Sequence, residues 1–161
     1  CLYFGIKNAS HKIIVTMDGD CQNDPKDIVN LLSNYQKNLH NNIHLVGGIR
    51  NKRKDNFIKI FSSKIANAVR SSILKDNCPD TGCGLKVFTR DFFLKLPYFN
   101  GMHRFLPALF LGLNSKTLFI NVNHRQRLKG KSKYGTINRL FFGIMDIFKV
   151  IKIIKNLKKT I

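Results

Sequence analysis

Residues 12–25 read Lys12-Ile13-Ile14-Val15-Thr16-Met17-Asp18-Gly19-Asp20-Cys21-Gln22-Asn23-Asp24-Pro25, and the change of character at Asp18 decides the fold. The run 12–17 is short, apolar and β-branched, which predicts a buried strand; the acidic cluster ends it. Strands of α/β proteins end this way at the carboxyl edge of a sheet, where ligands bind. Asp24 and Pro25 predict a helix start, with Asp24 as N-cap and Pro25 in the first turn. Ile28, Leu31, Leu32 and Tyr35 supply that helix with an apolar face.

Outward from this stretch the pattern alternates. Residues 43–49 predict a second strand, with Gly47-Gly48 allowing close backbone approach. Residues 56–74 predict a helix whose apolar face is Phe57, Ile60, Phe61, Ile65, Ala68, Val69 and Ile73. A turn at 80–84 leads into a strand at 85–88 and a helix at 91–96. A helix over 104–111 and a strand over 116–122 follow. The expected class is α/β with a mixed sheet. We divide the chain into residues 1–136, which include a basic loop at 124–135, and a basic amphipathic helical tail at 137–161.

The 161 residues suit one domain, and 43% apolar content with 13 Phe can build a core. Lys and Arg number 28 against nine acids, a net charge of +19, which favours an anionic partner. All nine acids are Asp, so any carboxylate chemistry runs through very few residues. No apolar stretch reaches the roughly 18 residues of a membrane span. The cysteines at 1, 21, 78 and 83 lack zinc spacing, and reduced thiols are expected. The chain opens on Cys1 without a leader pattern and reads as a piece of something longer.

Asp18 and Asp20, one residue apart at a strand end, can both face a divalent cation, and the side-chain oxygen of Gln22 can join them. Mg²⁺ and Mn²⁺ accept such sparse oxygen ligands, with phosphate and water in the remaining positions. Taken alone, the same pattern also suits a solvated turn or a helix cap.

The stretch 15–25 resembles family 2 glycosyltransferases of the polyprenyl-phosphate (dolichol-phosphate mannose synthase-like) branch, with their D-x-D-x-Q-x-x-P motif. The resemblance continues in order through Gly48-Ile49-Arg50, residues 62–67, Asp80-Thr81-Gly82-Cys83-Gly84-Leu85-Lys86, residues 101–109, residues 124–127 and residues 130–135. It implies a GT-A fold that holds a nucleotide-diphosphate sugar (a GDP- or UDP-hexose) through Mg²⁺ or Mn²⁺ at Asp18, Asp20 and Gln22. It also implies that the family's first strands precede Cys1. The acceptor it implies is a polyprenyl phosphate, reached peripherally at the cytoplasmic face of an anionic membrane.

Further roles follow from the same resemblance. Arg50, Lys59, Ser63, His103 and Arg104 are expected at donor or acceptor phosphates, with Lys59 standing where relatives commonly carry Arg. Lys neutralises a phosphate but lacks the planar bidentate fork. Asp80 is expected near the acceptor as base or orienter; a phosphate acceptor, with its second pKa of about 6, calls for positioning more than deprotonation. The segment 124–135 holds five cations and no acid, which suits gripping a diphosphate, and Arg125, Arg127, Ser132 and Lys133 are the expected contacts.

Residues 125–161 hold eleven cations and one acid, Asp146. Ile147, Val150, Ile151, Ile153, Ile154, Leu157 and Ile161 form one helical face opposite Lys149, Lys152, Lys155 and Lys159. Such a helix can lie on a membrane surface or pack on its own domain. Three rivals stand beside the main reading. One is another GT-A transferase with a hydroxyl acceptor. A processive polysaccharide synthase would carry Q-x-x-R-W, and this chain has no Trp. A basic nucleic-acid-binding module is disfavoured because Tyr134 is the one aromatic in the basic segment, and no nucleic-acid partner is expected.

Overall fold

The computed structural model describes residues 2–51, 57–125 and 136–160; the side chains of 57–64, 66, 136–142, 144 and 160 lie outside that description. Four strands form one sheet: β1 (Ile13–Thr16), β2 (Ile43–Arg50), β3 (Lys86–Thr89) and β4 (Lys116–Val122). Their order is β1-β3-β2-β4. β3 runs antiparallel to both β1 and β2, while β2 and β4 are parallel. The sheet is therefore mixed, as expected. Its topology has one consequence for function: the carboxyl ends of β1, β2 and β4 and the amino end of β3 lie at the same edge.

The middles of the central strands, Leu45-Val46 and Val87-Phe88, are apolar and fully buried because both sheet faces are covered. Leu31 and Tyr35 of α2 (Asp27–Asn38) pack with Val46, Leu85, Val87 and Val122 on one face. On the other face, Leu45 and Phe88 meet Phe93 of α4 (Arg90–Leu94) and Leu106, Leu109 and Phe110 of α5 (Leu106–Gly112). Tyr35 also ties the layers together, its hydroxyl lying 2.6 Å from Thr89 Oγ1.

Several local expectations are corrected. Helix α2 begins at Asp27 rather than at Pro25, and Lys26 stands at its N-cap without a side-chain bond, while the Asp24 carbonyl accepts from the Asp27 N–H at 3.1 Å. The Asp24 side chain accepts from the Lys26 N–H and pairs with Arg125. Helix α5 begins at Leu106 rather than 104, after a 3-10 turn at Met102–Arg104; Pro107 suits a first turn, where its missing N–H costs nothing. The helix α1 (Leu2–Asn8) escaped the sequence reading, because seven residues with Gly5 in the middle show no usable periodicity.

Helix α3 (Phe57–Leu74) forms where expected, but part of its apolar stripe faces outward. Ile65, Val69 and Ile73 are 51%, 54% and 48% exposed, whereas Arg70 and Leu74 are buried. The cause is a buried ion pair. Arg70 donates to both oxygens of Asp76 at 2.6 and 3.0 Å, and Asp76 also accepts from the Cys78 N–H. That pairing turns the Arg70 face of the helix inward.

Helix α6 (Thr136–Thr160) is the tail. Its apolar face is already covered: Val150 is fully buried in the α4–α5 core, with Ile147, Ile151, Ile153, Ile154 and Leu157 packed around it. Of the two placements open to this helix, the structure shows packing on its own domain, and burial against α5 removes Val150 from water without any membrane. Among the described residues, no helix is long and apolar enough to cross a membrane.

Candidate active site

The shared sheet edge gathers loops that are far apart in sequence. Asp18 and Asp20 follow β1, Arg50 closes β2, Asn123–Arg125 follow β4, and the turn 80–84 feeds β3. Thr16 Oγ1 donates to the Gly84 carbonyl at 2.8 Å, and the Gly48 N–H donates to Leu85 O at 2.9 Å. These bonds hold the turn against the strand ends.

Glycines in the turn make room for charged side chains. The Asp18 carboxylate occupies the space a Cβ on Gly84 would fill. A Cβ on Gly82 would stand 2.6 Å from Arg50 Nη2. Gly48 is as confined, since its Cβ would meet Cys83 Sγ and Val122 Cγ2 at 2.9 Å each. Gly82 and Gly84 thus act as cradles, a role the sequence spacing alone does not display.

Arg50 and Asp80 come together. The guanidinium donates from Nε to Asp80 Oδ2 and from Nη2 to Oδ1, both at 2.7 Å, and the Arg50 backbone N–H adds a bond of 3.2 Å. Both side chains are largely buried. A carboxylate held in this way is suited to fixing a guanidinium.

Beneath them lies Lys86, which the sequence reading left without a role. It is buried, and its ammonium donates to the Cys83 carbonyl. Burial pushes its basicity down, opposed by the thiols Cys83 and Cys78 and by Asp18 and Asp80. Its signal in the sequence was a lysine opening an otherwise apolar strand. Burial also pushes the Cys78 thiol up to about 11 and raises Cys83, so neither is a ready nucleophile.

His103 and Arg104 diverge. His103 has its basicity lowered by desolvation first, then by Arg104 and Lys86, with Asp18 pulling the other way. Arg104 bonds Asp146 of α6 at 2.9 Å and sits over Phe105, so its described contacts anchor α6. Arg125 likewise bonds Asp24 at 2.7 Å.

Asp20 accepts from the Gln22 N–H at 3.2 Å. The Gln22 side-chain nitrogen lies 3.4 Å from His124 Nε2 and 3.3 Å from the Arg125 carbonyl. Its Nε2 faces the β4 side, which leaves Oε1 as the oxygen a cation would take. Among the described residues, no three or more His, Cys, Asp or Glu side chains form a closed metal cluster. Two carboxylates and an amide, with one carboxylate seated in a glycine cradle, fit a hard cation that keeps water and phosphate ligands. Lys59 and Ser63 lie in α3 with side chains outside the description, and Arg127, Ser132 and Lys133 lie outside the described residues.

The profile of glycosyl transferase family 2 matches residues 2–96. The dodecaprenyl-phosphate galacturonate synthase of Rhizobium johnstonii is 37% identical over 149 residues, 91% of this chain and 43% of that protein. The undecaprenyl-phosphate 4-deoxy-4-formamido-L-arabinose transferase of Shewanella sediminis is 31% identical over 136 residues, covering 83% and 39% respectively. The chain thus spans about two fifths of these relatives. Among solved structures, glucosyl-3-phosphoglycerate synthase from Mycobacterium tuberculosis, in complex with Mn²⁺, UDP-glucose and phosphoglyceric acid, superposes with a TM-score of 0.62 at 14% identity. That match covers 93% of this chain and 52% of that one, and it shows the fold.

Proposed function

The chain belongs to glycosyl transferase family 2 and has the GT-A fold, and from that premise we propose that its enzyme transfers a sugar from a nucleotide-diphosphate donor to a polyprenyl phosphate. The form we favour is a hexose from a GDP- or UDP-sugar, moved with inversion at the cytoplasmic membrane face. The observation that carries the reading is the convergence of Asp18, Lys86 and the Arg50–Asp80 pair at one sheet edge. The names of the relatives supply the acceptor class.

Each residue then has a task. Asp18 and Asp20, with Gln22, would hold Mg²⁺ or Mn²⁺, which when bound supplies charge neutralisation for the diphosphate. Asp80 holds the Arg50 guanidinium in a fixed plane, and that fork can orient phosphate oxygens. Lys86, 5% exposed, places its side-chain nitrogen under the site, where it donates to the Cys83 carbonyl. Arg127, Ser132 and Lys133, together with Lys59 and Ser63, are proposed to extend the cationic surface toward donor and acceptor. A phosphate acceptor brings its own negative oxygen, so Asp80 need not abstract a proton. Attack by that oxygen on the anomeric carbon forms the new C–O bond as the bond to the nucleoside diphosphate breaks.

The test uses the full-length protein with radiolabelled UDP- or GDP-hexoses, polyprenyl phosphate and Mn²⁺. Label should enter the lipid phase and be lost with Asp18→Asn. Label in a water-soluble hydroxyl acceptor instead, or transfer indifferent to Asp18, would overturn the assignment.

A further inference from the structure

The loop that carries Asp18 and Asp20 is bound along its length to the first three residues after β4. Asn123 donates its backbone N–H to Asp27 Oδ2 at 2.7 Å and its side-chain amide to Asp27 Oδ1 at 3.2 Å. Asn23 and His124 form an isolated antiparallel bridge. The Arg125 N–H donates to the Gln22 carbonyl at 2.8 Å, and its guanidinium meets Asp24 Oδ1 at 2.7 Å. Asn23, 4% exposed, sends its side chain the other way, where Oδ1 accepts from the Asp18 N–H at 3.2 Å. A continuous run of contacts therefore joins Asn123–Arg125 to the backbone of Asp18.

Two of the nine acids in a chain of net charge +19 are committed to this one three-residue segment. Asp24 also accepts from the Lys26 N–H at the entry to α2, at 3.1 Å. A single bridge between two loops is a weak constraint, because loop backbone costs conformational entropy to fix. Charged acceptors on both sides of the bridge supply what the backbone lacks, since hydrogen bonds to ionised groups are roughly twice as strong as neutral ones.

We propose that Asp24 and Asp27 are positioning residues that clamp Asn123–Arg125 onto the D-x-D loop and so fix Gln22 and His124 side by side. The clamp gives Arg125 a partner inside the chain in place of a phosphate. It depends on the transferase reading for the use made of Gln22 and His124, while its own existence needs no ligand.

Amide hydrogen exchange by NMR on the ligand-free chain tests it. Asp27→Ala should speed exchange at the Asn123 and Arg125 amides about tenfold, and Asp24→Arg or Arg125→Asp alone about threefold. The reversed pair, Asp24→Arg with Arg125→Asp, should return both amides to within about twofold of the natural chain. Val87 in the central strand should keep its rate throughout, which separates a local release from general unfolding. Should Asp27→Ala fold poorly, Asp27→Asn keeps one carbonyl acceptor and should move the same amides in the same direction. Unchanged exchange in the single variants, or a reversed pair no better than Arg125→Asp, would overturn the clamp and return Arg125 to the anion-binding set. A clamp confirmed in a protein that transfers no sugar would end the transferase reading alone, and sugar transfer without protected amides would end the clamp alone.

Discussion

Arg50 and Asp80 meet through two parallel hydrogen bonds of 2.7 Å, so two residues thirty apart in sequence act as one unit. Expected separately as a phosphate ligand and a base or orienter, they are joined because β2 ends where the turn into β3 begins. Removing one partner takes two charge-assisted hydrogen bonds of 2.7 Å from the other, which is largely buried. Asp80→Ala should therefore cost about 3 kcal/mol in urea denaturation. The double variant Arg50→Met with Asp80→Ala should recover a good part of that loss.

Gly84→Ala tests the cradle. The added methyl overlaps the Asp18 carboxylate, which must swing away. Mn²⁺ affinity, read by water-proton relaxation, should weaken about tenfold, the scale for disturbing a group that orients a metal ligand. Gly5→Ala, where nothing lies within 4 Å of the new Cβ, should leave that affinity unchanged.

His44 and His103 both have their basicity held below the ordinary value of 6.5, in each case chiefly by desolvation. The sign follows from linkage: between the folded and unfolded values the unfolded chain binds more protons, so stability falls as pH drops through 6.5. The melting temperature should decline on acidification from neutral pH through that window, and flatten below the folded values. NMR titration should find His103 neutral at pH 7. Asp18→Asn should lower its pKa further and Lys86→Met should raise it, because those charges act on it in opposite senses.

Helix α6 should behave as core. Val150→Ala removes two methyl groups from a fully buried site and should cost about 2 kcal/mol by chemical denaturation. Phe148, 68% exposed, should tolerate Ala within about 0.5 kcal/mol. Equal costs at the two positions would contradict the packing of α6 against α5.

Read from the residues alone, the chain declares its α/β class, the strand that stops at Asp18, three further strands and the helix at 57–74. These are legible because they rest on local period and on breaker residues, which need no knowledge of neighbours. From the ordered motif blocks come the expectations that Asp18, Arg50, Asp80 and His103 belong to one site. Tertiary structure alone decides how those residues are spent. The antiparallel insertion of β3 brings the turn 80–84 to the carboxyl ends of β1, β2 and β4, and so pairs Asp80 with Arg50. Burial of the Arg70–Asp76 pair sets the rotation of α3, and α5 covers the face of α6 that the pattern left open to a membrane. The roles of Lys86, Asp24 and Asp27 are not legible locally, because a charge acquires its role from the partner that folding places opposite it.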